Sequence, residues 1–486
     1  MRKRVISGLA AALWAAPAAV CANDLLDAYR QAQAQDTTLD AALHQRGAAI
    51  EARPQALASF LPQLDANANF ARDKISSGGG NSSALPGSNA PQVSGNGVVF
   101  GNSATYALTL NQQIWSFQSF HKLAEANLQV AQAEATYRDA QQSLILRVAS
   151  AYFNVLAAED TLRTNQLERE AYGEMLRQAR KRVENGLSPQ TDVKEALSFY
   201  DVTAASVIDA ESALDDARRA LAELTARDTP QIAPLKDEIP LAQPDPARPE
   251  DWVQSALQDN YALSAADLQA QAAQRDISAN RARAFPTLSL QGSVHKYDYS
   301  SQLGSDQRDD RVGVVMDWPL FQGGTVASLV RQAKNTYEQL RAQYEGKRRE
   351  VERQTHAAYR GVVSGIDKIR SNRQAADSNR DAVDASRIAL EVGTRNEFSL
   401  LQAQTNYYDA LRSYYQSRYD YLTHSLTLKQ LAGRLSEADL GAIDDFLVRG
   451  GATPAPAAAP SAVLSAPPSA LSGGLSADTA ATAAGK

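Results

Sequence analysis

Cysteine is nearly missing: the single one, Cys21, lies in the N-terminal segment. That excludes a disulfide framework and thiolate metal sites. The five histidines (His44, His121, His295, His356 and His424) are scattered without metal-ligand spacing, so no metal or cofactor site is expected. Charge of one sign is also lacking. With 49 basic and 55 acidic residues, well mixed, the net charge is −6 and no nucleic-acid partner is implied. Beyond the N-terminus no apolar run approaches the roughly 20 residues of a transmembrane helix. Gly323-Gly324 lacks the lysine and serine of a phosphate loop, and nothing else suggests an enzyme.

Proline is absent from Gly323 to Glu391, a span of 69 residues. Over it the apolar residues keep a heptad rhythm: Val326, Val330, Ala333, Tyr337, Leu340, Tyr344, Val351. This spacing predicts a rod about 100 Å long, packed lengthwise against neighbouring helices. Val392-Gly393-Thr394-Arg395-Asn396 breaks it, and the chain returns on a seven-residue ladder of Leu400, Tyr407, Tyr414, Tyr421 and Leu428. The same order occurs earlier. Ile114-Trp115-Ser116-Phe117 precedes its counterpart Leu320-Phe321-Gln322-Gly323 by 206 residues. Asn185-Gly186-Leu187 precedes Val392-Gly393-Thr394 by 207, and Pro62 precedes Pro286 by 224. The chain is a tandem duplication, which overrides a domain count from length.

Residues 1–22 read as an export signal, with basic Arg2-Lys3-Arg4, an apolar run and cleavage after Ala22. A membrane anchor or lipidation at Cys21 are the alternatives. Residues 23–228 form the first repeat, 229–250 a proline-rich irregular connector and 251–433 the second repeat. Residues 434–486 hold a short helix (Glu437–Val448) and an Ala/Pro/Ser-rich tail expected to be disordered. Each repeat opens with a helix, Asp24–Ala58 or Trp252–Arg283. Period-two strands follow, with Leu64, Ala66, Ala68 and Phe70 on one face and Asp65, Asn67 and Asn69 on the other. Further strands end at Trp115 and Trp318, placed as interfacial aromatics, and exposed loops are expected over Lys74–Gly101 and Ser300–Asp310.

Four alternating strands in an exported chain point to an outer-membrane barrel. Lipid offers no hydrogen-bond partner to an open edge, and the smallest such barrels have about eight strands. Copies of the chain must therefore share one barrel, with the long rods projecting into the periplasm. The fold class is α+β: a shared antiparallel β-barrel continued by a coiled-coil helical barrel. The competing classes are a non-channel periplasmic coiled-coil protein and a passive porin. The porin is disfavoured because it closes from one chain.

In this order, Phe60-Leu61-Pro62-Gln63-Leu64, Trp318-Pro319-Leu320-Phe321-Gln322-Gly323-Gly324 and the two turns resemble the TolC-type outer-membrane channels of type I secretion and multidrug efflux. The resemblance covers Asp24–Gly433. It implies a homotrimer with a twelve-stranded barrel in outer-membrane lipid and a periplasmic tunnel. It also implies docking to a periplasmic adaptor and an inner-membrane ABC or proton-driven transporter. By the same resemblance the tip turns fall at Gly186 and Gly393, and the tip is closed by Arg395 against Thr191 and Asp192 across hairpins. Solvated turn residues are the plain alternative. Ser399 and Gln402 stand where the family's well-studied member carries pore-narrowing aspartates, which puts an acidic constriction in doubt.

Overall fold

The computed structural model describes residues 24–77, 97–227, 232–299 and 306–448. The expectations for the export signal and for the tail beyond 448 lie outside the described residues, as do parts of the two loops. Four strands, β1 (Gln63–Ser77), β2 (Gly97–Trp115), β3 (Thr287–Tyr299) and β4 (Gln307–Asp317), form one antiparallel sheet in the order β1-β2-β3-β4. The strands run further than expected: Lys74 pairs with Phe100 and Ser77 with Gly97, inside the segment read as loop. A ladder joins backbone groups, so glycine- and serine-rich composition does not end it.

The register pairs even with even: Leu64 with Leu110, Leu108 with Val294, Leu290 with Val314. One face of the whole sheet therefore carries Leu64, Phe70, Leu108, Val294, Val312 and Met316, all exposed. The other carries Asp65, Asn67, Thr109, Gln291 and Ser293. A bulge between Gln113 and Trp115 shifts the count by one and turns Trp115 onto the apolar face, opposite Leu288. That divides the sheet into a lipid face and a lumen face.

Two hairpins of long helices extend from the sheet. The first is α4 (Phe117–Glu184) with α5 (Gln190–Thr225); the second is α8 (Thr325–Glu391) with α9 (Glu397–Leu431). At 68 and 67 residues, α4 and α8 are each about 100 Å long. Buried positions on α8 step by four and three and then by seven: Val351, Thr355, Ala358, Val362, Gly365, Ile369, Ala376, Val383. This is the seam that the heptad pattern predicts, and it packs on α9, where Leu400, Tyr421 and Leu428 are buried. Among the described residues, no helix is long and apolar enough to cross a membrane.

Each opening helix is interrupted. The first copy divides into α1 (Leu25–Gln35), α2 (Thr37–Ile50) and α3 (Ala52–Ala58), the second into α6 (Pro249–Asp259) and α7 (Tyr261–Ala282). The breaks fall at Asp36 and Asn260, 224 residues apart like the prolines. There the side chains accept from the Leu39 and Leu263 amides as N-caps. The short α10 (Glu437–Asp444) returns to the chain's start: Asp444 accepts from the Leu25 and Leu26 amides at 2.9 and 3.1 Å.

The connector is irregular yet tied down. Tyr152 of α4 donates to the Ala233 carbonyl and accepts from its amide, at 3.1 and 3.0 Å. Tyr421 of α9 does the same at Ala242, both at 3.0 Å. Tyr414 donates to the Asp237 carbonyl, and Tyr359 of α8 to that of Ala247. Arg418, 2% exposed, donates to the Lys236 carbonyl and sits over the Tyr414 ring. Tyrosines read as helix packing thus also carry a strap across three helices. An unpaired buried carbonyl is costly, so these partners hold the connector in place.

Candidate functional site

Both hairpin turns close alike. Gly186 (φ +69°) and Gly393 (φ +75°) occupy the left-handed region after α4 and α8. The next residue donates back into the helix, Leu187 to the Arg182 carbonyl at 2.8 Å and Thr394 to that of Ala389 at 2.9 Å. This is the glycine-terminated helix stop, with no space for which a β-carbon would compete, so conformation alone calls for glycine.

Of the expected tip residues, the single chain brings some together and not others. Thr191 donates to Asp192 at 3.4 Å, and Ser188 donates to the other Asp192 oxygen. Exposed Arg395, in the turn, instead donates to Ser386 of the preceding α8 in its own hairpin at 3.1 Å. Ser399 lies in the first turn of α9, donating through amide and hydroxyl to Asn396, while Gln402 is exposed and donates to Asn406. Trp115 and Trp318 are 47% and 56% exposed at the helix-side end of the sheet. The Trp115 ring stacks edge-on against Phe117 and Phe120, so an aromatic cluster marks the junction of sheet and tube.

One tip residue escaped the sequence reading. Glu397, in the first turn of α9, is only 4% exposed, and its Oε2 lies 3.7 Å from Arg182 in the last turn of α4. The pair links the two hairpins, each charge at the helix end whose dipole favours it. Phe199 and Phe398 pack beside it, ring centroids 6.3 Å apart. Burial pushes the Glu397 carboxyl above its usual range; Arg182 pulls it down, while Asp192 and Glu195 of α5 add to the rise. Nothing in the sequence marks Glu397 off from solvated acids at helix starts.

A raised carboxyl pKa means that the packed tip disfavours the ionised form. The penalty is present at neutral pH and is relieved as pH falls through the raised value. Mild acidification is therefore expected to raise the hydrogen-exchange protection of the amides around 393–401, measured against their intrinsic exchange rates at each pH, and Glu397→Gln to remove that gain. An unchanged pH profile in Glu397→Gln would sink this assignment.

A profile of the family described as outer membrane efflux protein matches residues 28–227 and 252–434, most of the chain. The chain belongs to this family. The outer membrane protein TolC of Vibrio cholerae serotype O1 is 30% identical over 445 residues, 90% of this chain and 97% of that one. The alkaline protease secretion protein AprF of Pseudomonas aeruginosa is 28% identical over 435 residues, 88% of each. The fold matches the crystal structure of VceC from Vibrio cholerae with a TM-score of 0.71 at 18% identity, covering 84% of this chain and 96% of that one. As an outer membrane efflux protein, the chain is an exit duct of the outer membrane with a large periplasmic helical barrel. Its family works as homotrimers with periplasmic adaptors and inner-membrane transporters, and its members are channels, not enzymes.

Proposed function

We propose that three copies of this chain form a gated duct whose periplasmic tip closes by Arg395 of one hairpin against Thr191 or Asp192 of the next. Each repeat (23–228 and 251–433) supplies two strands and one hairpin, and 229–250 binds them together. The observation that carries the reading is the four-stranded sheet with one apolar face, continued by two helix hairpins too long for a globular core. Three such sheets reach the strand number of a closed barrel, and no edge is left to lipid. Arg395 is exposed and held by one hydrogen bond to Ser386, so its guanidinium is readily exchanged to another acceptor. Ser399 and Gln402 bring no charge, so they supply no acidic constriction and cation selectivity is weak. AprF is named for protease secretion, and a secreted protein passed on by an inner-membrane transporter suits a duct of this length; small molecules travel the same way.

Extraction of the outer membrane is expected to yield a detergent-stable trimer that conducts ions in planar bilayers. A monodisperse monomer with its full sheet content by circular dichroism, or a trimer without conductance, overturns the reading.

A further inference from the structure

We propose that the outward face of the sheet carries, at its outer end, a binding site for a phosphate-bearing, acylated lipid of the outer leaflet. The hairpin end of the sheet lies opposite the helices and therefore at the cell exterior. On β2, Trp115 and Tyr106 share the lipid face nine residues apart, about 23 Å along the membrane normal for a tilted strand. They mark the inner and outer girdles, and what lies beyond Tyr106 is at head-group level.

Basic side chains gather there on the even face: Arg72, Lys74, Lys296 and Arg308. Lys296 sits opposite Tyr106 in register, its amine 5.9 Å from the ring centre, and Lys74 lies 5.5 Å from that of Phe100. Asp298 and Asp310 pair with Lys296 and Arg308 at 2.9 and 3.0 Å. Arg72 and Lys74 have no ion-pair partner among the described residues. Asp306 beside Tyr299 adds a third carboxylate that acts on Lys296. Four cations against three carboxylates still leave the outer rim of this face positive, with Arg72 and Lys74 next to each other along this face of β1.

Below and beside these charges the face is hollowed. Small residues between large ones leave a depression of about 360 Å³ walled by Ala66, Ala68, Leu108 and Val294 and ending at Lys296. A second, of about 570 Å³, lies between Phe70, Arg72, Asn102 and Asp298. An apolar groove running up to a polar one edged by cations complements an acyl chain joined to a phosphorylated head group. A bare phosphate would leave the lower groove unused, and a neutral lipid the cations.

The test uses the purified full-length trimer in detergent and counts bound lipid by native mass spectrometry. Bisphosphorylated lipid A is expected to bind at least tenfold better than its dephosphorylated form or phosphatidylethanolamine, a preference read on the unmodified protein. Arg72→Gln with Lys74→Gln is expected to weaken binding about tenfold, each cation near an anionic surface contributing severalfold. The charge-keeping swap Arg72→Lys with Lys74→Arg should restore it, and Arg311→Gln on the lumen face should leave it unchanged. Equal occupancy by the dephosphorylated lipid overturns the proposal. So does wild-type binding by the double variant, or displacement of the lipid by inorganic phosphate, which marks an ion site only.

Discussion

Gly433→Ala is expected to destabilise the assembled protein by about 3 kcal/mol or more, lowering its melting temperature by many degrees and the yield of trimer. Gly433 ends α9 at φ +68°, and a β-carbon built there meets the Asp259 carbonyl oxygen at 2.2 Å. The repeat separates the two contributions. At the equivalent place 207 residues earlier, Ala226 ends α5 at φ +53°, so alanine tolerates the backbone conformation at a cost of about 1 kcal/mol. What the second copy adds is the close approach of α6. Asp259 cannot retreat freely, because neighbouring Asn260 caps α7 and donates to the Leu431 carbonyl at 3.1 Å. Ala226→Gly is accordingly expected to be nearly neutral. A melting temperature for Gly433→Ala close to that of wild type would refute the steric account.

The second large effect is on conductance. Arg395→Ser combined with Asp192→Ala is expected to raise single-channel conductance in planar bilayers severalfold and to sensitise cells to large antibiotics. Partly exposed ion pairs contribute about 1 kcal/mol or less each, so three copies bias a closed tip without holding the tube together. The tube rests on the long seams: Val351 to Val383 on α8, and Tyr172, Met175, Leu400 and Leu401 where the hairpins meet. Thermal stability should barely change. With Ser399 and Gln402 lining the first turns of α9, wild-type channels should show weak cation selectivity and little block by trivalent cations. Unchanged conductance in the double variant returns Arg395 to a solvated turn charge bonded to Ser386.

How far the sequence could be read depended on whether periodicity or distant packing decided a feature. The heptad from Val326 to Val351 and the even-numbered apolar positions from Leu64 to Met316 are local patterns, and the sheet and hairpins follow them. The matching offsets at Gly186 and Gly393 exposed the duplication for the same reason. Asp36 and Asn260 were missed because the helical period continues through them, and a cap shows only when its side chain turns back. The strand residues 74–77 and 97–101 were missed because composition describes side chains and the ladder joins backbones. Glu397 and the tied-down connector were invisible for a third reason. Their burial depends on Arg182, Tyr152 and Tyr421, which are distant in sequence.

The tyrosine-held strap has a mechanical consequence. Tyr152, Tyr359, Tyr414 and Tyr421 grip it 17 to 32 residues from their helix ends at the tip, which is roughly 25–50 Å of helix. Above that level the three helices are clamped to one another; below it they stay packed through Tyr172, Met175, Leu400 and Leu401, so the tip end of one chain would tilt as a single leaf hinged at the strap. A leaf of about 25 Å below the lowest grip moves its free end by about 6 Å for a tilt of only about 15°. In a duct that opens this way, the aperture would follow from leaf length and a small angle. The barrel and upper tube need not change shape when it opens.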